Sequence, residues 1–377
     1  MSTSKKSDDK KNVVVVGGGY AGVHTAKALA KTLDPSKYNT VIITSKPYYV
    51  FLIAGLRIAV SPTETLEDIA FIPYDKLQGI NVKIGTVHSI EETAPGKGGE
   101  VVLKDGEKVP YSALVLATGS TWTGPVAYGD TDEEIRATVA KWRKRFADAK
   151  HVVIAGGGAV GIELTGEIKD YYPQCKVTLV QGSSMLLNDT YPTKFRKAIE
   201  GKVRSRNVDI IFNDYIDTFP EPGDVGVSTR GQNELSDADL VVPCFGSHPN
   251  TAFISSLGSD VLTKSGSVKV KPTLELQDHP GVFAAGDIID WKEQKQAGKA
   301  PNHAGIVAPN VVSFLAGTTQ KKVYKGSIEM IIIPVGKYVG GGYFDILWGI
   351  TVGNWLSSFI KGKTLIVPLA RSLMNYN

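Results

Sequence analysis

The chain has 377 residues, of which 42% are hydrophobic and 21% are charged, and its formal net charge is +4. This composition is typical of a globular protein of two or three domains and argues against a disordered, fibrous or integral membrane protein. Lys and Arg are scattered, so there is no strong nucleic-acid signal, and the two cysteines, Cys175 and Cys244, are too distant in sequence to indicate a disulfide framework or a metal site.

The first eleven residues are predicted to form a flexible tail, because they are polar and rich in lysine. They lack the apolar segment of a secretory signal peptide, and their acids are atypical of a transit peptide. Ser2 stands where N-myristoylation requires a glycine. We therefore expect a cytoplasmic protein without a signal peptide or a myristoylation site.

A nucleotide-binding pattern begins with the β-branched run 13–16, which predicts a buried parallel strand. A glycine-rich turn follows, then a predicted helix over 23–33 and a second strand over 40–44. In such a turn the first glycine permits the bend, the second lets backbone approach a pyrophosphate, and the third lets the helix pack on the strand. The predicted binding residues of this turn are Gly17, Gly18, Gly19, Tyr20, Ala21 and Gly22.

A second copy of the pattern has predicted strands at 152–155 and 176–180. The predicted binding residues of its turn are Gly156, Gly158, Ala159, Val160 and Gly161. Neither copy ends its second strand with the carboxylate that ordinarily holds a ribose hydroxyl, since 44–46 and 181–184 contain none. A carboxylate would repel the 2′-phosphate of NADPH, so we expect NADH or NADPH as co-substrate.

Further elements are predicted along the rest of the chain. They are short strands at 85–90 and 100–103, a buried strand over 111–117, an amphipathic helix over 130–149, strands at 208–212 and 240–245, and a helix from 303 to 315. The most specific string, 273–287, predicts a buried strand that ends in Gly286-Asp287. Such a strand leaves one carboxylate at the sheet edge where ligands bind.

The C-terminal region starts with a predicted strand over 328–335, and an uncharged apolar stretch follows at 346–360. This stretch is too short to span a bilayer. Treated as a helix, it has one apolar side, which fits either an interfacial helix or a helix packed on the core. Lys361, Lys363 and Arg371 flank it, which suits contact with anionic headgroups.

In this order, the elements resemble the two-dinucleotide flavoprotein superfamily of pyridine nucleotide oxidoreductases over nearly the whole chain. The resemblance implies an α/β fold with two Rossmann-like domains of the glutathione-reductase type and a small α+β C-terminal domain. It implies FAD as cofactor. The implied domains are 12–125 with 251–325 for FAD, 126–250 for NAD(P)H, and 326–377 for a quinone- or membrane-facing unit.

The cysteine pair of disulfide-reducing members is absent, and residues 46–60 stand in its place. That segment is similar to the ferroptosis suppressor protein branch, relatives of apoptosis-inducing factor. This resemblance implies an enzyme that passes hydride from NAD(P)H to flavin and then two electrons to a quinone such as ubiquinone. It also implies peripheral contact with membranes, such as a lipid droplet or the mitochondrial outer surface, and it leaves an oligomer open.

The resemblance assigns roles to single residues as well. For FAD these are the first glycine turn with Lys46, Arg57, Val87, Thr118, Gly119 and Asp287; for NAD(P)H they are the second turn with Glu163, Gln181 and Gly246. Candidates for protonating a quinone are Lys361, Tyr49 and His303. Arg57 could instead pack structurally, and Glu163 could serve only the helix dipole.

Three other functions stay open at this point. They are a type II NADH dehydrogenase, a ferredoxin-type reductase, and a non-enzymatic signalling or DNA-binding protein like apoptosis-inducing factor.

Overall fold

The computed structural model describes residues 10–63, 65–221 and 223–376. The predicted tail lies outside the described residues except for its last two, and Lys11 already belongs to a strand. The described strands are β1 (Lys11–Val16), β2 (Tyr38–Thr44), β3 (Tyr49–Val50), β4 (Phe71–Ile72), β5 (Ile80–Ile84), β6 (Val87–Glu92), β7 (Gly99–Leu103), β8 (Lys108–Tyr111), β9 (Ala113–Leu116), β10 (Ser120–Thr121), β11 (His151–Ala155), β12 (Lys176–Gln181), β13 (Asp209–Phe212), β14 (Val227–Ser228), β15 (Glu234–Leu235), β16 (Leu240–Pro243), β17 (His248–Pro249), β18 (Val282–Ala284), β19 (Met330–Pro334), β20 (Gly340–Phe344) and β21 (Ile350–Val352).

The helices alternate with these strands over most of the chain. The described α-helices are α1 (Tyr20–Thr32), α2 (Gly55–Val60), α3 (Glu67–Ala70), α4 (Asp132–Asp148), α5 (Ala159–Tyr171), α6 (Thr193–Arg204), α7 (Ala300–Leu315), α8 (Asn354–Ser357) and α9 (Val367–Leu373). Short 3₁₀ helices are Leu52–Ala54, Gly124–Val126, Ala252–Leu257, Gly286–Ile288 and Ala297–Lys299, and Ser358–Gly362 forms a π-helical turn.

The first unit is built on a parallel sheet of five strands in the order β18-β9-β1-β2-β5. Residues 13–16 of β1 are fully buried, as expected for a strand covered on both faces. The chain leaves this sheet after β9 and returns to it only at β18, which pairs in parallel with β9. The segment between them is therefore an insertion, and the antiparallel β6-β7-β8 meander lies outside the main sheet.

The inserted unit has its own parallel sheet, β13-β12-β11-β16, and its own hydrophobic core. The outgoing and returning chains pair as a short antiparallel ribbon of β10 with β17. Thr118 Oγ1 extends the ribbon by donating to the carbonyl of Asn250 at 2.5 Å. The predicted fold class, α/β with two Rossmann-like units, is confirmed.

Helix α4 shows how local sequence sets an element. Thr131 caps its start: its hydroxyl accepts from the Glu134 amide at 3.2 Å, and the Glu134 carboxylate accepts from the Thr131 amide at 3.1 Å. The buried residues Ile135, Val139, Trp142 and Phe146 follow at helical spacing. The predicted helix over 130–149 agrees with this element within two residues at each end.

The C-terminal unit consists of the antiparallel sheet β19-β20-β21 followed by short helices. The prediction of a continuous helix over 346–360 is wrong in its first half, where a turn leads into β21 and only the part from Asn354 onward is helical. Positive φ angles at Leu347 and Trp348, 49° and 70°, break the helix, and β21 pairs with β20 instead. In the described part of the chain, no helix has the length and apolar character needed to cross a bilayer.

The C-terminal unit packs directly on α5. A Cβ atom added to Gly166 would lie 2.0 Å from the amide nitrogen of Gly336. One helical turn later, Asp170 Oδ2 accepts from the Lys337 amide at 2.6 Å. The backbone of residues 335–337 therefore lies against the helix with no room for a side chain at position 166.

We predict that Gly166→Ala lowers the free energy of unfolding by about 1–3 kcal/mol, because its methyl group must displace the turn 335–337. The matched control is Gly201→Ala in α6, where no described atom lies within 4 Å of the added Cβ. There the better helix propensity of alanine should raise the free energy of unfolding by about 0.5–1 kcal/mol. Urea unfolding measures both, and similar effects at the two positions would contradict the close packing.

Candidate functional site

A cavity of about 950 Å³ opens between the two parallel sheets and the C-terminal strands. From the first unit it is lined by Gly17, Gly18, Gly19, Tyr20, Ala21, Lys46, Tyr49, Val87, Thr118, Gly119 and Asp287. From the inserted unit it is lined by Gly158, Ala159, Val160 and Glu163, and from the C-terminal unit by Lys361. The structure thus gathers most of the predicted site residues around one cleft.

The outer glycines of both turns are fixed by the backbone. Gly17 and Gly156 have φ angles of 117° and 120°, which only glycine adopts readily. A Cβ atom on Gly22 would lie 1.8 Å from the carbonyl oxygen of Gly17, and one on Gly161 would lie 2.0 Å from that of Gly156. These glycines allow the close backbone contacts of the turns. Three of them, Gly22, Gly156 and Gly161, do not line the cleft.

The middle glycines, Gly19 and Gly158, face open space instead. Each is the N-cap of its helix, and no described atom lies within 4 Å of a Cβ atom added to either. The described residues give neither helix a side-chain cap, so the first amides of α1 and α5 point to the cleft unpaired. Two such starts on one cleft fit the pyrophosphates of FAD and of a pyridine nucleotide.

Side chains from neighbouring segments hold each turn in place. The Tyr74 hydroxyl donates to the carbonyl of Gly18 at 2.9 Å. Gln181 Oε1 accepts from the Gly157 amide at 2.9 Å, and its amide nitrogen donates to the carbonyl of Met185. Gln181 therefore supports the second turn without lining the cleft, while Gly246 lies on an exposed loop after β16.

Asp287 stands at the end of β18 as its string predicts. Its Oδ2 accepts from the Ser120 hydroxyl at 3.0 Å, and burial raises the pKa of the carboxyl. The Lys46 side chain is held by two bonds, because its ammonium donates to the carbonyls of Tyr128 and Gly129. Both side chains are thus held in place and still line the cleft.

Two predicted residues are directed away from the cleft. Arg57 is buried in an ion pair with Glu167, so its guanidinium does not face the position expected for FAD. His303 Nδ1 accepts from the Gly286 amide at 3.0 Å, and its Nε2 donates to Glu293 at 3.1 Å. With both ring nitrogens engaged in the protein interior, His303 is not presented to a substrate in the cleft.

Lys361 and Glu163 form an ion pair inside the cleft, with Nζ and Oε1 2.6 Å apart. Burial raises the pKa of Glu163, and the charge of Lys361 opposes that rise. Tyr49 lines the cleft as well, and burial holds the pKa of its hydroxyl well above the usual value. A proton donor and a carboxylate therefore sit together where the inserted and C-terminal units meet.

Several residues of this region were not predicted from the sequence. Lys295 lines the cleft, donates to the carbonyl of Ile289 at 2.8 Å, and has a pKa lowered by burial. Tyr191 lines it too, and its hydroxyl accepts from Gln296 at 3.0 Å. Glu167 lies four residues after Glu163 on α5, and this helical spacing was the one available signal that both carboxylates share a face.

The two cysteines offer no reactive thiol. Both are buried and free, and burial raises the pKa of Cys244 to about 12. Among the described residues, no group of three or more His, Cys, Asp or Glu side chains is arranged to hold a metal ion.

Comparison with known proteins places this cleft in a family context. Residues 11–304 match the family described as pyridine nucleotide-disulphide oxidoreductase. The FAD-dependent oxidoreductase FVFD30 of Flammulina velutipes is 47% identical over 316 residues, covering 83% of this chain and 97% of the relative. Apoptosis-inducing factor homolog B of Dictyostelium discoideum is 30% identical over 98% of both chains. Ferroptosis suppressor protein 1 of Taeniopygia guttata is 28% identical, covering 97% of this chain and 96% of the relative.

A solved structure shares the whole architecture. The sulfide:quinone oxidoreductase of Aquifex aeolicus superposes with a TM-score of 0.77 at 20% identity, covering 97% of this chain and 92% of that one. The chain therefore belongs to the pyridine nucleotide-disulphide oxidoreductase family, as an FAD-dependent oxidoreductase of the branch that holds the apoptosis-inducing factor homologs and ferroptosis suppressor protein 1.

Proposed function

We propose that the chain is an NAD(P)H:quinone oxidoreductase. The observation that supports this most is the single cleft shared by two glycine turns and the Lys361–Glu163 pair. The turns provide for a donor nucleotide and a flavin nucleotide, and the absence of a cysteine pair leaves the electrons to an external acceptor.

The first unit provides the FAD site in this proposal. FAD, when bound, supplies hydride acceptance and two-electron release to an acceptor. The start of α1 would hold its pyrophosphate, and the Asp287 carboxylate would accept hydrogen bonds from ribityl hydroxyls. Ala300, the first residue of α7, also lines the cleft, so the positive end of that helix favours negative charge there.

The inserted unit provides the NAD(P)H site. The start of α5 would bind the pyrophosphate, and Gln181, bonded to its own turn, stands where other dinucleotide folds have a ribose carboxylate. Without that negative charge, both NADH and NADPH are accommodated. The nicotinamide end of the nucleotide lies toward Glu163, which α5 directs into the cleft.

The acceptor end is apolar. Side chains of Leu52, Ile53, Ile332, Ile360 and Ile366 line it beside Lys361. A quinone fits this chemistry, because its ring is apolar while its reduced oxygens need protons. Lys361 donates a proton at Nζ, and the paired Glu163 carboxyl, whose pKa burial raises, takes part in replacing it. The fold neighbour from Aquifex aeolicus is likewise named for a quinone.

The same substitution at the two middle glycines should separate the two nucleotide sites. We predict that Gly19→Val abolishes retention of FAD, because the added side chain enters the space in front of α1. Gly158→Val should keep FAD but raise the KM for NADH and NADPH by about tenfold or more. Flavin absorbance of the purified variants and steady-state kinetics measure these effects. Loss of FAD from Gly158→Val with retention by Gly19→Val would reverse the assignment.

Lys361 should affect the rate of electron transfer to the acceptor and not the rate of reduction by NADH. We predict that Lys361→Met slows reoxidation of the reduced enzyme by ubiquinone-1 by about a hundredfold, the scale of a lost general acid. Reduction by NADH should stay within about threefold. Stopped-flow absorbance at the flavin band follows both steps, with the exposed Lys264→Met as control.

The choice of acceptor decides the proposal. Wild-type protein that is reduced by NADH but transfers electrons to ferredoxin in preference to ubiquinone-1 would favour the reductase alternative. Wild-type protein without flavin absorbance, together with salt-dependent DNA binding, would favour the non-enzymatic alternative.

Exposed hydrophobic side chains of the C-terminal unit support delivery of quinone from a membrane. The four most exposed large hydrophobic side chains of the described chain all lie within residues 347–359. They are Leu347, Trp348, Trp355 and Phe359, which we call the aromatic tip. The rings of Trp355 and Phe359 stack with centroids 5.9 Å apart, and Ile360 and Lys361 of the cleft follow at once.

The aromatic tip suits the headgroup region of a bilayer, where Trp is favoured and where the exposed Lys363 would meet anionic lipid. We propose that it docks the chain peripherally on a membrane, with the apolar end of the cleft beside the lipid. This proposal needs no membrane-spanning helix.

We predict that the double variant Trp348→Ser/Trp355→Ser weakens binding to phosphatidylcholine vesicles containing phosphatidylserine by about tenfold or more, because each indole loses burial in the interface. Cosedimentation measures the partition. Val225→Ser, which changes an exposed apolar side chain on the inserted unit, is the control. Unchanged vesicle binding of the double variant would exclude the aromatic tip as the docking surface.

A further inference from the structure

The bidentate Arg57–Glu167 ion pair beside the cleft is almost completely buried. Arg57 lies on α2 of the first unit and Glu167 on α5 of the inserted unit. Nε and Nη2 of the arginine donate to the two carboxylate oxygens at 2.7 and 2.8 Å. Both side chains are about 2–3% exposed. Removing two charges from water costs free energy that their attraction need not recover. Stability alone therefore does not explain why this pair is buried.

The same guanidinium reaches a third part of the chain. Nη2 donates to the carbonyl of Gly362 at 2.7 Å, and Nη1 donates to the carbonyl of Lys363 at 2.9 Å. These are the two residues that follow Lys361. One arginine thus joins the first unit, the inserted unit and the backbone that presents Lys361 to the cleft.

The held segment is irregular and needs external support. Residues 358–362 form a π-helical turn, a rare conformation that is enriched at functional sites. Leu365 and Ile366 then adopt φ angles of 50° and 52°. Such angles are unfavourable for a β-branched residue and persist only when the surroundings impose them.

Helix α5 holds this segment twice. Glu163 pairs with the Lys361 side chain, and one turn later Glu167 pairs with the arginine that binds the next two carbonyls. Side chain and main chain of the segment are therefore fixed from one helix face. Neither Arg57 nor Glu167 lines the cleft, so neither touches a substrate there.

We propose that Arg57, oriented by Glu167, is a positioning residue that fixes Lys361 at the acceptor end of the cleft. It acts through the carbonyls of Gly362 and Lys363. The inference rests on the proposed function only in assigning Lys361 to the acceptor. The clamp itself is a property of the segment 358–366.

Arg57→Lys is the first test, because an ammonium group keeps the charge but not the planar fork that reaches a carboxylate and two carbonyls together. We expect amide hydrogen exchange in 358–366 to accelerate by about tenfold, with exchange in α5 unchanged. Reoxidation by ubiquinone-1 should slow by about tenfold, while FAD content and reduction by NADH stay within about threefold.

Arg143→Lys is the matched control. Arg143 also makes a bidentate ion pair, with Glu67 at 2.6 and 2.7 Å, and it donates to the carbonyl of Ile58 on α2. These bonds go to α2 and α3 and not to the segment 358–366. Exchange and reoxidation should therefore stay at wild-type values.

The double variant Arg57→Glu/Glu167→Arg separates the ion pair from the clamp. It restores opposite charges between α2 and α5, but a carboxylate at position 57 cannot donate to the carbonyls of Gly362 and Lys363. We expect reoxidation to remain slow. Full recovery would overturn the proposal in favour of a simple pair between domains.

Combination with Lys361→Met tests the route. Because Arg57 acts through Lys361, adding Arg57→Lys to Lys361→Met should slow reoxidation no further, whereas independent effects would multiply. A multiplied loss overturns the proposal, as does unchanged exchange of 358–366 in Arg57→Lys.

The exchange measurement needs no acceptor. Accelerated exchange in an enzyme that does not reduce ubiquinone-1 would contradict the proposed function and leave the clamp standing. If Arg57→Lys fails to retain FAD, Glu167→Gln keeps the arginine and its carbonyl bonds. Glu167→Gln should then accelerate amide exchange in 358–366 by less than Arg57→Lys does. Unchanged exchange in Glu167→Gln would overturn the role of Glu167.

Discussion

The whole site depends on one backbone contact that occurs twice. Gly22 lies against the carbonyl of Gly17, and Gly161 lies against the carbonyl of Gly156. Neither position has room for a Cβ atom. This contact seats α1 on β1 and α5 on β11, and it fixes where the first amides of each helix point. The cleft follows from it, because both helix starts face the same space. These two contacts determine where the cleft lies. Its remaining walls come from Asp287, Lys46 and the C-terminal unit.

Helix α5 serves three parts of the molecule at once. Its first turn faces the nucleotide space, its carboxylates Glu163 and Glu167 hold the Lys361 segment, and Gly166 accepts the backbone of the C-terminal unit. In the proposed function, this one helix relates the donor end of the cleft to the acceptor end. The C-terminal unit can therefore hold Lys361 in the cleft although its own sheet has only three strands.

Local sequence predicted the features that local backbone geometry determines. The glycine turns, their strands and helices, and Asp287 after a buried strand all depend on neighbouring residues, and they were found. The family resemblance assigned Arg57 to FAD, and no local pattern indicated its ion pair, because Glu167 lies 110 positions away on another unit. His303 was proposed as a proton donor because a reduced quinone needs protons, and its sequence position did not show that both ring nitrogens are bonded inside the protein. The apolar spacing of 346–360 fitted a helix, but pairing of β21 with β20 prevailed over that local preference.

The ribbon of β10 and β17 limits how the two nucleotide-binding units can move. Ser120 pairs with Pro249 and Thr121 with His248, so the two connecting chains cannot swing separately. The bond between Arg57 and Glu167 ties the same units at a second place. The Arg143–Glu67 pair and the bonds from Lys46 to the carbonyls of Tyr128 and Gly129 add further ties between the two units. Opening of one unit against the other would therefore have to break polar contacts at several separate places at once.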